Sequence, residues 1–223
     1  MCIRDSVHNL DARFEYFPSM TEVIALSLYT KRFRSPITSI SDRQGAVQYL
    51  NADSAELYGA ELELQFEFDR FGAEGLLFST NVSLTRSSLE RPCPDENADG
   101  DCDFQFTNRR SRLGGQAPWM VNSSFGYAAP DGVWSAFAYY NVIGPRIENF
   151  GTNGLPDSLL EPSHELDLTA SYRFHEDWKV KLSFENLALA RARETQGGLS
   201  VAEDFEGLEI GASLSWSPRI DRD

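Results

Sequence analysis

Residues 141–187 read NVIGPRIENFGTNGLPDSLLEPSHELDLTASYRFHEDWKVKLSFENL. The second half holds two strand-like runs, 164–174 and 178–187, joined by a turn of a few residues at 175–177. In the first run Leu166, Leu168, Ala170, Tyr172 and Phe174 alternate with Glu165, Asp167, Thr169, Ser171 and Arg173. In the second, Trp178, Val180, Leu182 and Phe184 alternate with Lys179, Lys181, Ser183 and Glu185. Alternation with a period of two gives a strand one apolar and one polar face. The apolar face must be covered either by a protein core or by lipid, and that choice decides the fold.

The same pattern runs outward along the chain. Leu10, Ala12, Phe14 and Tyr16 form one apolar face, followed by a turn at Pro18 and Ser19. The next strand, 22–33, offers Ile24, Leu26 and Leu28, or alternatively Val23, Ala25 and Tyr29, so its register is open. The most regular run sets Tyr58, Ala60, Leu62, Leu64, Phe66 and Phe68 against Gly59, Glu61, Glu63, Gln65 and Glu67. Leu76, Phe78, Thr80, Val82 and Leu84 follow, then Trp119, Val121, Ser123, Phe125 and Tyr127. Pro130-Asp131-Gly132 is a turn, with Pro fixing φ and Gly supplying a positive φ. Trp134, Ala136, Ala138, Tyr140 and Val142 make the next face, and Leu208, Ile210, Ala212, Leu214 and Trp216 the last. The pattern predicts about nine strands. Their connections alternate short and long, the long ones being 34–55, 87–115, 144–162 and 191–206. A soluble sandwich shows short turns at both ends more often than this. Tight turns on one side and long loops on the other are the build of an outer-membrane barrel.

Composition narrows the choice. The chain has 223 residues, with 20 Lys and Arg against 34 Asp and Glu, a formal net charge of −14. Nucleic acid is not an expected partner, because phosphate binding needs a basic surface. Apolar runs are a few residues long, far short of the roughly 18 that a membrane helix needs. That excludes a helical membrane protein and leaves a transmembrane barrel open, since barrel strands are half polar. Residues 1–7 begin MCIRDS, without an apolar leader, and read as a non-native or disordered start; 218–223 read as a polar tail.

Aromatic placement agrees with lipid. With the last strand ending at the tight-turn side, Trp134, Trp178 and Trp216 fall at that rim and Trp119 and Tyr140 at the other, as membrane-interface aromatics do. Glu61, Glu63, Glu67, Asp167, Arg173, Lys179, Lys181 and Glu185 share the polar face and are expected to face the lumen. A basic residue turned to lipid at mid-depth costs about 2–4 kcal/mol, and the apolar faces assigned here hold no Lys or Arg.

The order of these segments resembles the C-terminal barrel of TonB-dependent outer-membrane receptors. NVIGPRI, then GLPD, then a Pro before HELDLTASYRF, then WKVKLSFENL, are similar to segments of that family. So are DARFEYFPSMTEVIALSLYTKRFRSPI, the Tyr-Gly-x-Glu-x-Glu strand NADSAELYGAELELQFEF, and QAPWMVNSSFGY. The resemblance covers residues from about Asp11 to Trp216. It departs from the family at ALARARETQGG, where a short Asn/Asp-rich turn is usual, and at SPRIDRD, where an aromatic usually ends the chain. It implies an all-β, antiparallel transmembrane barrel, here roughly the last nine strands of a 22-stranded barrel and incomplete alone. It also implies a receptor in the outer membrane of a Gram-negative bacterium that imports a scarce ligand and is not an enzyme. The ligand is most often an iron–siderophore complex, with cobalamin and carbohydrate as other cargoes. Its partners would be outer-membrane lipid, a plug domain of the same receptor, and TonB acting through a missing N-terminal part. The other readings are a passive porin or adhesin-like barrel, which a plug domain would discriminate, and a secreted β-sandwich, which would be soluble without detergent.

Candidate sites are few. His8, His164 and His175 have no ligand spacing, and no nucleophile motif stands beside a supporting turn. The four long loops are candidates for an extracellular ligand mouth. Between Cys93 and Cys102, which can pair in an oxidising compartment, Asp95, Asn97, Asp99 and Asp101 alternate around Gly100, with Asp103 beyond. Such oxygens can wrap a calcium ion, although Phe106 stands where a closing Glu is expected; the other reading is an acidic solvated loop clipped by a disulfide. Apart from that calcium, no cofactor is expected. Calorimetric titration of a peptide spanning 93–103 should give binding heat by millimolar calcium, and a flat titration removes the cation reading.

Overall fold

The computed structural model describes residues 5–41, 47–91 and 106–218. Its strands are β1 (Ser6–Tyr16), β2 (Val23–Arg34), β3 (Ile37–Ser41), β4 (Val47–Asn51), β5 (Ser54–Glu67), β6 (Leu76–Glu90), β7 (Arg110–Ser111) and β8 (Trp119–Ala128). They continue as β9 (Trp134–Ile143), β10 (Arg146–Ile147), β11 (Ser158–Leu160), β12 (Ser163–His175), β13 (Trp178–Glu185), β14 (Arg191–Gln196), β15 (Leu199–Phe205) and β16 (Glu209–Trp216). The main sheet runs β1-β2-β5-β6-β8-β9-β12-β13-β16, with β7 added to β6, and every pairing in it is antiparallel. These nine long strands are the nine that the alternation predicts.

Lateral pairing makes the apolar face continuous. Phe14 pairs with Leu26, Leu26 with Leu62, Leu62 with Val82, Val82 with Val121 and Val121 with Val142. A second row links Phe66, Phe78, Phe125, Ala138, Leu168, Phe184 and Ile210. The open register of β2 is settled by its neighbours. Ile24, Leu26 and Leu28 join the apolar rows, whereas Ala25 lies on the polar face, 1% exposed. A slip of one residue would turn Leu26 and Leu28 onto the side carrying Glu61 and Glu63.

Apart from Val142, which is buried at the long-loop end, these rows are partly or largely exposed. Phe14 is 69% exposed, Leu84 58% and Leu214 60%. The surface totals 14806 Å², whereas a globular chain of this mass exposes about 10,300 Å². Trp178 and Trp216 pair across β13 and β16 with centroids 6.1 Å apart, and Tyr127 and Trp134 with centroids 4.6 Å apart, at the tight-turn end. The buried cluster lies elsewhere, at the long-loop end: Ala52, Ala55, Leu89, Phe106, Ile147 and Phe150, with Phe33, Leu50, Leu113 and Leu159 against it.

The faces exchange character along β5 and β6. In mid-strand, Leu62, Val82 and Leu84 share one side and Glu61, Glu63, Asn81 and Ser83 the other. Toward the long loops, the first side carries Tyr58, Glu56, Arg86, Ser88 and Glu90, and the second carries Leu57, Ala55 and Leu89. β2 does the same with Arg32 and Arg34 opposite Phe33. This inversion marks the level at which the apolar belt on that side of the sheet ends and a polar band begins.

The long connections are not all irregular, as the sequence pattern suggests. β3 pairs β4, and β10-β11-β14-β15 form a second sheet. The hairpin β14–β15 turns at Gly197 and Gly198, both with positive φ (61° and 81°), the requirement of a type I′ turn. The Gly-Gly pair is the local sequence signal of this hairpin, which lies within the long connection 191–206.

β12 is thirteen residues long, and Leu168 and Thr169 sit at its middle on opposite faces. In a complete barrel carrying these strands, Leu168→Arg should cost about 2–4 kcal/mol, since it puts the charge in lipid. Thr169→Arg, facing the polar side, should cost clearly less. Urea unfolding from phospholipid vesicles measures both, and equal costs would contradict lipid on the leucine face.

Candidate functional site

The polar face is cross-linked sideways by side chains. Arg13 donates to Glu15 (2.6 Å), to Glu63 (2.7 Å) and to Ser27 Oγ (3.1 Å), joining β1, β2 and β5. Ser79 meets Ser124 at 2.8 Å, Asn141 Nδ2 donates to Asn122 Oδ1 at 2.7 Å, and Ser135 meets Ser171 at 2.9 Å. Tyr29 lies across Gly59 to reach Thr85 Oγ1 at 2.6 Å; a Cβ at position 59 would come within 2.5 Å of the tyrosine oxygen. A recess of about 690 Å³ opens on this face among Glu63, Gln65, Asn81, Asn122, Glu165 and Asp167.

The residues singled out by alternation fall along this face. Glu61 lies between Ser27 and Ser83, Glu63 between Ala25 and Asn81, and Glu67 opposite Leu77. Arg173 pairs with Lys179, Lys181 with Ser171 and Ser213, and Glu185 with Glu209. Among the described residues, the side chains of Glu61, Glu67, Arg173, Lys179, Lys181 and Glu185 make no hydrogen bond or ion pair. Asp167 differs, because its carboxylate accepts the backbone N–H of Asn186 at 2.8 Å. Asn186 has φ 58°, accepts from Ala190 N (2.6 Å) and donates to Glu206 O (2.5 Å). It turns the chain out of β13, so Asp167 anchors a turn. Trp119, Trp134, Tyr140, Trp178 and Trp216 all stand in the apolar rows, with Tyr140 Oη 2.7 Å from His164 Nδ1.

The family model for "TonB dependent receptor-like, beta-barrel" matches residues 6–187. The chain belongs to this family of TonB-dependent receptor barrels. A comparison with curated proteins finds no match. Among solved structures, it is similar to the ferric yersiniabactin uptake receptor FyuA from Yersinia pestis, with TM-score 0.67 and 16% identity over 95% of this chain and 30% of that one. It is similar to the copper transporter OprC, with TM-score 0.66 and 15% identity over 96% and 32%. It is also similar to the ferric enterobactin receptor PfeA from Pseudomonas aeruginosa, with TM-score 0.63 and 18% identity over 95% and 31%. The chain thus spans about a third of the length of these structures, and at such identities the likeness is one of fold.

Placed in a TonB-dependent receptor barrel, the loop core is the other distinctive feature. Arg91, just past β6, is fully buried. Its guanidinium lies 4.7 Å from the Phe106 ring centroid and 4.3 Å from that of Phe150. It donates to the carbonyl of Asn108 and faces Asp157 Oδ1 at 3.9 Å. Burial pushes its pKa down, and Asp157 pushes it back up. Asp157, the last residue of the GLPD segment, also accepts Gly151 N–H at 2.7 Å. Loop 144–162 is tied in turn to the β14–β15 hairpin, through Asn149 Nδ2 to Glu194 (3.3 Å) and Thr195 Oγ1 to Glu161 (2.6 Å). Neither Arg91 nor Arg13 carries a pattern that sequence reading could isolate, because each acts through partners distant in the chain. The loop of Cys93, Cys102, Asp95, Asn97, Asp99, Asp101 and Asp103 lies outside the described residues. Among the described residues, no group of three His, Cys, Asp or Glu side chains is placed to hold a metal.

Breaking a buried ion pair costs about 3–5 kcal/mol because a charge is left uncompensated; here Arg91 is fully buried, whereas Asp157 is 12% exposed and keeps the Gly151 N–H. Asp157→Asn should therefore loosen 106–115 and 144–162 more than Arg91→Met does, read as faster amide exchange there. Equal or reversed effects would show that the aromatic stacking, and not the ion pair, holds the loops.

Proposed function

We propose that this chain is the C-terminal part of an outer-membrane TonB-dependent receptor that actively takes up a scarce ligand, an iron–siderophore complex in the first place. The observation that carries the reading is the family match over residues 6–187, which takes in eight of the nine strands of a sheet whose apolar face is largely exposed. The similar structures include receptors named for ferric yersiniabactin and ferric enterobactin, beside one named for copper.

In this reading lipid wets the Leu and Phe rows, and Glu61, Glu63, Glu67, Asp167, Arg173, Lys179, Lys181 and Glu185 face the lumen. The free edges of β1 and β16 pair with further strands of the same barrel, because lipid cannot satisfy their backbone groups. The plug domain meets the charged side chains that find no partner within this sheet; Glu185 directly opposite Glu209 favours a cationic group between them. Loop 144–162, held on the Arg91 core and on β14–β15, forms one wall of the outer ligand mouth. TonB draws on the plug to release the ligand inward.

The test is uptake by the full receptor in an iron-starved host lacking its own siderophore receptors. Supplied ferric siderophores should restore growth, and deleting TonB should abolish it. Removing 144–162 should lower ligand binding at least about tenfold, as expected when a main contact surface is lost. Growth independent of TonB would establish a passive pore instead.

A further inference from the structure

The outer side of the sheet carries a basic recess immediately above its apolar belt. Leu84, paired with Trp119 and Ala60, is the last apolar residue of β6 on that side. Arg86 follows two residues later, about 7 Å farther along the strand, opposite Tyr58. Ser88 lies opposite Glu56, and Arg110 opposite Glu90. Tyr58, Arg86, Ser88, Arg110 and Arg112, with Glu56, line a recess of about 550 Å³.

Its chemistry runs against the rest of the chain. The protein carries a formal charge of −14, yet three arginines converge here. Among the described residues no carboxylate lies within ion-pair distance of Arg86, Arg110 or Arg112. Two of the three are positioned by their neighbours: Arg110 Nε donates to Ser88 Oγ at 2.8 Å, and Arg112 Nη1 to Pro145 O at 3.2 Å. The next arginine along this side, Arg32, is held loosely by Glu56 at 3.4 Å, with both side chains largely exposed. Guanidinium forks with hydroxyl donors between them match the oxygens of a phosphate monoester. Trp119, one row below, marks the interface, so the phosphate that arrives at this height belongs to a lipid whose chains lie on the Leu84 belt.

We infer that Arg86, Arg110 and Arg112, with Tyr58 and Ser88, form a binding site for the phosphate-bearing headgroup of an anionic lipid in the leaflet on the long-loop side. The inference rests on the barrel reading, and goes beyond it by assigning the outer surface a specific lipid. Each arginine near a membrane surface contributes about fivefold in affinity.

The experiment uses the full receptor in detergent, titrated with lipid A (a bisphosphorylated glucosamine lipid), with phosphatidylcholine and with inorganic phosphate, bound lipid being counted by native mass spectrometry. Wild type should retain lipid A over phosphatidylcholine. The R86Q/R110Q variant, which changes two exposed side chains, should lose about 25-fold of that preference. R86K/R110K keeps the charge without the fork and should fall between. Lys31→Gln, on the opposite face of β2, should leave the preference intact. Equal retention by wild type and R86Q/R110Q overturns the site. Displacement of lipid A by inorganic phosphate at equal concentration overturns its assignment to a lipid. A receptor that takes up neither lipid nor detergent sinks the barrel reading and this inference together.

Discussion

Lipid offers no hydrogen-bonding partner, so every backbone N–H and C=O inside it must be satisfied by the protein. An antiparallel sheet meets this demand laterally, strand by strand, and leaves its side chains free to differ between faces. Here that arrangement runs through nine strands without a crossover. The rows that result are apolar on one side and polar on the other because strand periodicity and hydrogen-bond register are locked together. A shifted strand would lose no backbone bonds in its middle, but it would place leucines beside carboxylates and charges in hydrocarbon. Register is therefore held by solvent as much as by pairing.

This division explains where ordinary packing occurs. Mid-strand, the sheet needs no protein core on its apolar side, and Leu26, Phe125 and Ile210 remain open. Beyond the membrane the outside is water, and apolar residues must be buried by protein again. The cluster of Ala52, Ala55, Leu89, Phe106, Ile147 and Phe150 forms there, on the side that carried Glu61 and Glu63 lower down. Arg91 lies within it, its guanidinium between two aromatic rings, bonded to the Asn108 carbonyl and facing Asp157 at 3.9 Å, while its Nε and Nη1 make no hydrogen bond among the described residues.

How much of this could be read from the residues alone follows from how local each cause is. Strand number, turn sides and the two faces were legible, since alternation and turn chemistry act within a few residues. The register of β2 was not, because Ile24, Leu26 and Leu28 compete with Val23, Ala25 and Tyr29 until β1 and β5 are set beside them. The β14–β15 hairpin was legible at Gly197 and Gly198 and was hidden only by the polar composition around them. Asp167 looked like one more charge on the polar face; its bond to Asn186 depends on where β13 ends. Arg91 had no local signal, because Phe106, Phe150 and Asp157 reach it from other parts of the chain.

The exchange of polarity between the faces also separates two jobs that share the same strands. Below the exchange, β5 and β6 present oil outward and charge inward, which suits a wall between lipid and an aqueous lumen. Above it, they present Arg86, Ser88 and Tyr58 outward and Leu57, Ala55 and Leu89 inward, which suits a wall between headgroups and a packed loop layer. A strand that kept one pattern throughout would either expose leucines to water at its top or drive arginines into hydrocarbon at its middle. The strands can therefore run past the membrane and carry the loops as a rigid extension. The loops rest on a core made by those strand ends, so their placement is fixed by the same strands that form the sheet.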